Sequence, residues 1–119
     1  MFGLISRLRG DMSAKDAITG ATAGRVTVID VRDAGELRAT GKALGALHIP
    51  LARLAQDAAP TAPACPTKLK TDCCIAVYCA SGARSMAAQR ILHNLGYTDV
   101  HNIGGLSAWT RAGGATEPV

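Results

Sequence analysis

Cys79 follows the apolar run Ile75-Ala76-Val77-Tyr78 and precedes the small, polar stretch Ala80-Ser81-Gly82-Ala83-Arg84-Ser85, which leads into Met86-Ala87-Ala88-Gln89-Arg90-Ile91-Leu92. The run reads as a buried strand, the stretch as a tight turn and the last segment as the start of a helix. A cysteine at such a junction stands where backbone N–H groups and the positive end of a helix dipole converge. A free thiol has a pKa of about 8.5, and this setting lowers it toward a reactive thiolate. The chemistry offered is nucleophilic attack by sulfur. The competing reading is a buried cysteine that merely ends a strand.

The remaining candidates are weaker. Cys73 and Cys74 are adjacent, and a bond between neighbours strains the backbone, so Cys65, Cys73, Cys74 and Cys79 do not read as a disulfide framework. The first residues have no secretory pattern, which makes reduced thiols the expectation. No Cys-x-x-Cys pair occurs, and His48, His93 and His101 lie at no ligand-like spacing, so neither a metal nor another cofactor is expected. Cys65 stands in a proline-rich stretch. Were that loop to fold over the reacting thiol, Cys65 could receive sulfur from Cys79 or form a disulfide with it; otherwise it is an idle surface cysteine.

At 119 residues the chain is one small domain with a single core. Its 48% hydrophobic and 18% charged residues describe a globular chain, not a disordered one. Aromatics make up 3%, too few for a surface that stacks nucleic-acid bases. The +4 net charge is scattered, which suits small anions and excludes a nucleic-acid groove. Met1-Phe2-Gly3-Leu4-Ile5-Ser6-Arg7-Leu8-Arg9 reads as one amphipathic turn or a frayed end. No apolar run approaches the roughly 20 residues that span a bilayer. The expected location is the cytoplasm, and the oligomeric state is left open.

Strand and helix patterns alternate along the rest of the chain. Ser13 with Asp16 three residues on marks a helix start, and that helix should stop near Gly20. Residues 26–31 are rich in β-branched side chains and predict a buried strand. Residues 34–38 predict a brief helix ending by Gly41, residues 46–50 a short strand closed by Pro50, and residues 51–55 a helical turn. Residues 58–72, with Pro60, Pro63 and Pro66, predict a surface loop. After the Cys79 strand come a helix over about 85–95, a left-handed cap at Gly96, a strand over 98–102, and a closing helical turn with Leu106 and Trp109. Strands spaced too far apart for hairpins predict an α/β domain with a parallel sheet. Ligands then bind at the carboxyl ends of the strands, where Cys79 stands.

Four segments carry a family resemblance: Ile29-Asp30-Val31-Arg32 with Glu36 four residues on, Gly45-Ala46-Leu47-His48-Ile49-Pro50, Val77-Tyr78-Cys79-Ala80-Ser81-Gly82-Ala83-Arg84-Ser85, and Gly104-Gly105-Leu106-Ser107-Ala108-Trp109. In this order they resemble the successive motifs of a single-domain rhodanese. The resemblance covers roughly residues 13–111, leaving 1–12 as an extension and 13–119 as the rhodanese-like domain. One segment departs from it: Gly41-Lys42-Ala43-Leu44 stands where the family usually has Gly-His-Ile-Pro, which suggests altered loop packing. The resemblance implies a five-stranded parallel sheet flanked by helices on both faces. It also implies a sulfurtransferase that works through a cysteine persulfide. Phosphatases of similar architecture carry one more residue in the loop than the four that separate Cys79 from Arg84. The shorter ring fits a sulfur atom better than a phosphoryl group, which makes a phosphatase or arsenate reductase the lesser reading.

On this reading Cys79 takes a sulfane sulfur from thiosulfate or a low-molecular-weight persulfide and yields it to a thiol or cyanide, with a protein acceptor open. The amides of Ala80, Ser81, Gly82, Ala83, Arg84 and Ser85 would turn inward as an anion nest, with Gly82 supplying an unusual backbone angle. Ser81 and Ser85 can donate to the persulfide, though Ser85 equally suits a helix N-cap. Arg84 either meets the donor or folds back to hold the loop. Asp30 is expected to accept loop N–H bonds. By resemblance, Arg32 and Glu36 form a structural ion pair. His48 and Trp109 read as satisfied packing residues. The alternative to turnover is a persulfide carrier or regulatory binding module without efficient use of thiosulfate.

Overall fold

A computed structural model describes residues 12–119, so the turn expected over Met1 to Arg9 lies outside the described residues. The chain runs α1 (Ala14–Thr22), β1 (Val26–Asp30), α2 (Ala34–Thr40), β2 (Lys42–Ala43), β3 (Leu47–His48) and α3 (Leu51–Asp57). After a long turn-rich segment follow β4 (Cys74–Cys79), α4 (Ala83–Asn94), β5 (Asp99–Gly105), α5 (Leu106–Arg111) and β6 (Thr116–Glu117). Ser13 caps α1 by accepting the Asp16 amide at 3.0 Å, as the sequence spacing requires. Gly96, at φ 106°, ends the α4 turn as expected. Among the described residues no helix is long and apolar enough to cross a membrane.

Four strands form a parallel sheet in the order β3-β1-β4-β5, one fewer than the resemblance implied. The extra pairing is separate: β2 and β6 make a small antiparallel ribbon. Its anchor is Lys42, whose Nζ donates to Glu117 Oε2 and to the Ala46 carbonyl, both at 2.7 Å. The unusual Gly41–Leu44 segment is thus packed against the chain's last residues.

The central strand β4 explains the layering. Ile75, Val77 and Cys79 face a core with Leu54 of α3 and Ala88 and Leu92 of α4. Ala76 and Tyr78, pointing the other way, meet Ala17 of α1 and Trp109 of α5. Both faces are covered, so the strand is apolar throughout instead of alternating. The hydroxyl of Tyr78 is bound in turn: it donates to Asp30 Oδ2 at 2.5 Å and accepts the Ala43 amide at 2.9 Å.

Candidate functional site

The loop after β4 closes around its own cysteine. Gly82 N–H donates to Cys79 Sγ at 3.0 Å and Ser85 N–H does so at 3.4 Å, while Ser85 Oγ lies 3.5 Å from the sulfur. Gly82 makes this ring possible: its φ is 103°, a left-handed angle that side chains rarely adopt. Ala80, Ser81 and Ala83 form an exposed rim, whereas Cys79 is only 1% exposed at the floor. A reactant must therefore enter the ring to reach the sulfur. Burial pushes the Cys79 thiol pKa up. The Ser85 hydroxyl and the amides of Ser85, Gly82 and Ser81 outweigh it and bring the pKa from 9.0 down to about 7.

Ser85 is not the cap of α4; Gly82 holds that position. Its hydroxyl reaches inward instead, donating to Asn102 Oδ1 at 2.7 Å. Asn102 in turn donates from Nδ2 to the Gly82 carbonyl at 3.0 Å and accepts the Gly104 amide at 2.9 Å. This arrangement lets the Ser85 hydroxyl exchange hydrogen-bond partners with the charge on the sulfur. When the thiol is protonated it can donate to Ser85 Oγ. When it ionises, the hydroxyl proton can turn to sulfur while Asn102 Oδ1 keeps the Gly104 N–H.

Asn102 went unnoticed in the sequence because amides carry no reactive signal. Its place at the carboxyl end of a parallel strand, two residues before Gly104-Gly105, was the available clue. A break in the β4–β5 register between Val77 and Cys79 brings Gly105 opposite Cys79. A Cβ on Gly105 would stand 2.1 Å from the Ala80 carbonyl oxygen, so the strand can support the loop only without a side chain.

The expected ion pairs are exchanged. Arg32 pairs with Asp30, its NH2 at 2.7 Å from Oδ2, instead of with Glu36. Asp30 accepts the Arg32 amide at 2.9 Å, which is a loop N–H but not one from the cysteine ring. Arg32 also donates to the Gly41 carbonyl at 2.8 Å and to Thr40 Oγ1 at 2.9 Å, fastening the far end of α2. Glu36 is left to bind Arg84 with both oxygens, at 2.7 and 2.8 Å. That bidentate bond, with the Asp33 amide behind it, holds the Glu36 carboxyl down at about 2. Arg84, at the end of the loop, is thus tied to Glu36 of α2. The reason is reach: Glu36 lies in the first turn of α2, which directs it at the loop, whereas Arg32 is already buried with Asp30.

The other thiols lie elsewhere. Cys65 contacts Tyr97 Oη at 3.7 Å and the Ala58 and Pro66 carbonyls, with no bond to the Cys79 ring. Cys74 opens the strand that Cys79 closes, about 16 Å away at ~3.3 Å per residue. His48 is satisfied by the Arg32 carbonyl at 2.7 Å, and Trp109 donates to the Ala115 carbonyl at 2.7 Å. A cavity of about 310 Å³ beside Arg25, Thr27, Lys68 and Cys73 sits at the amino end of β1, away from the ring.

Against known families, residues 13–112 match the sequence model of the Rhodanese-like domain. The chain belongs to that family. Among solved structures, this rhodanese-like domain is similar to the human single-domain sulfurtransferase TSTD1, at 28% identity over 86% of this chain and 96% of that one, with a TM-score of 0.74. A rhodanese-related protein from Thermoplasma volcanium is 30% identical over 90% of this chain and 96% of its own, with a TM-score of 0.71. A Rhodopseudomonas palustris protein of unknown function, described as a possible tyrosine phosphatase, is 31% identical over 88% of this chain and 82% of its own, with a TM-score of 0.75. None of the curated proteins compared matches the chain. The rhodanese-like domain is therefore assigned to a sulfurtransferase-type family.

Proposed function

We propose that this rhodanese-like chain is a sulfurtransferase that carries sulfane sulfur on Cys79. The thiolate attacks the outer sulfur of thiosulfate; the S–S bond of the donor breaks with its electron pair leaving on sulfite, and Cys79 becomes a persulfide. A thiolate or cyanide then attacks the outer sulfur of that persulfide, forming a new persulfide or thiocyanate and returning the Cys79 thiolate. No proton or electron is left over in either half. The observation that carries this reading is the Cys79 Sγ held by the Gly82 and Ser85 amides, a cradle for negative charge on sulfur. The ring spans four residues before Arg84, which suits a sulfur atom and argues against phosphoryl chemistry.

A second reading, a persulfide carrier with poor use of thiosulfate, is favoured by one contact. Arg84 is bound by both oxygens of Glu36, so its charge is already answered when a dianion arrives. A monoanionic organic persulfide asks less of the ring. Intact-mass spectrometry after incubation with thiosulfate or with glutathione persulfide tests both readings. The expected result is one added sulfur in wild type and in Cys74→Ser, and none in Cys79→Ser. Addition from glutathione persulfide alone selects the carrier. Addition that survives Cys79→Ser, or fails with both donors, overturns the assignment.

A further inference from the structure

A second cluster of reactive side chains lies at the opposite end of the sheet from the Cys79 ring. Cys74 begins β4 and Asp99 begins β5, and the two are register partners; Ala76 and His101 are the next partners on the same face. The Cys74 thiol, an Asp99 carboxylate oxygen and a His101 ring nitrogen all lie within 4.8 Å of one another. His101 Nε2 is 2.6 Å from Asp99 Oδ1. His101 is buried, while Cys74 and Asp99 are half-buried, so the cluster opens toward solvent on one side. The cross-strand neighbour of His101 is Ala76, whose methyl offers no competing donor.

We propose that Cys74, Asp99 and His101 form a binding site for a divalent transition metal of the zinc class. One thiolate, one imidazole and one carboxylate are a donor set that zinc and cobalt accept, and the thiolate disfavours magnesium and calcium. Zinc bonds of about 2.0–2.3 Å place tetrahedral donors roughly 3.3–3.7 Å apart. The His101–Asp99 contact opens from 2.6 Å by about 0.7 Å to meet that edge, and the thiol, no more than 4.8 Å from either partner, has at most about 1.3 Å to close. Both adjustments are side-chain rotations on strands whose register is fixed. Three protein donors leave the fourth position to water on the open side. On binding, the Cys74 thiol releases its proton to solvent as the sulfur–metal bond forms, and no electron is transferred. Conventional ligand spacing misses this site because the donors come from two neighbouring strands, 25 and 27 positions apart in the chain. A bound ion would tie β4 to β5 at the base of the sheet. It would raise the melting temperature by about 10 °C at a hundredfold excess over Kd.

Cobalt titration of the full, reduced chain tests this directly. The expected result is a thiolate-to-cobalt charge-transfer band with visible d–d bands, saturating at one equivalent and bleached by zinc. It persists in Cys79→Ser, Cys73→Ser and Cys65→Ser, disappears in Cys74→Ser, and needs 10- to 100-fold more cobalt in Asp99→Asn. As a check that needs no variant, zinc should slow alkylation of Cys74, read peptide by peptide, and leave the Cys79 rate unchanged. The proposal is overturned if no such band forms at millimolar cobalt, if the band survives Cys74→Ser, or if zinc protects Cys79 or Cys73 in place of Cys74. Sulfur loading of Cys79 is a separate readout, so either assignment can fail alone.

Discussion

Ser85→Ala probes the ring where it is most sensitive. The Ser85 hydroxyl is the largest of the influences that lower the Cys79 pKa to about 7. A hydrogen bond to a charged group is worth about 1.5–3 kcal/mol, and 1.36 kcal/mol is one pKa unit. At 3.5 Å the contact is long, so the lower end applies and the pKa rises by about one unit, to ~8. At pH 6 the thiolate fraction then falls from ~9% to ~1%. A more basic thiolate is also a better nucleophile, by about 2.5- to 3-fold per unit at a Brønsted slope of 0.4–0.5. The attack of Cys79 on a small, uncharged disulfide should therefore slow about threefold at pH 6. Above pH 9, where both proteins are fully ionised, it should quicken about threefold. The assay is the pH profile of mixed-disulfide formation on the Cys79 peptide, followed by mass spectrometry to separate it from the other three thiols. A crossing of the two profiles at about pH 7.6 is the expected mark. If the variant is slower by one factor at every pH, Ser85 acts through packing alone and the hydrogen-bond account of the thiolate is wrong.

Two further substitutions test the supports of the ring. Gly105→Ala forces a Cβ to within 2.1 Å of the Ala80 carbonyl, so the loop must shift; Cys79 reactivity at pH 7 should drop at least fivefold while circular dichroism stays native. Wild-type reactivity in that variant would mean that β5 does not hold the ring. Tyr78→Phe removes a hydroxyl shared by Asp30 and the Ala43 amide, leaving a buried carboxylate short of one donor and a buried N–H unpaired. Unfolding by urea should show a loss of about 2–4 kcal/mol at unchanged slope, and a loss under 1 kcal/mol would show that water takes over both bonds.

The elements were legible wherever local chemistry decides them. Ser13 and Asp16 mark a helix start by themselves, the β-branched run at Val26 can only be a strand in a covered sheet, and Gly96 stops a helix for steric reasons. Cys79 could be singled out because strand, glycine turn and helix meet there within ten residues. What stayed hidden depends on which segments become neighbours. Arg32 has an acid two residues before it and another four after it. Only the approach of α2 to the Cys79 loop decides that Asp30 takes Arg32 and Glu36 takes Arg84. Asn102 is mute in the sequence, since its value comes from a register break that carries it beside Ser85. The β2–β6 ribbon joins residues more than 70 positions apart, and two-residue strands leave no periodic trace. The Cys74 cluster escaped for the same reason.

Charge at the ring is settled by these exchanges. A thiolate with a pKa near 7 needs stabilisation, and a free arginine at the rim would be the blunt way to supply it. Here Arg84 is half-buried and bonded to Glu36, so it acts on the sulfur only as a distant, partly neutralised charge. The work falls to amides and a hydroxyl, which are dipoles. Dipoles of fixed geometry stabilise one negative atom at one place and gain little from a second charge a few ångströms out. Such a ring discriminates by position more than by total charge. On the proposed function it would hold the thiolate and the outer sulfur of a persulfide, which occupy neighbouring points, better than it would attract the thiosulfate dianion. Short-range dipoles also answer weakly to salt, whereas a rim arginine would be screened over about 8–10 Å at ordinary ionic strength. The same argument explains why Glu36 is tolerated so near a nucleophilic sulfur. Its charge is spent on Arg84, and the field left at Cys79 is that of the Ser85 hydroxyl and the backbone amides.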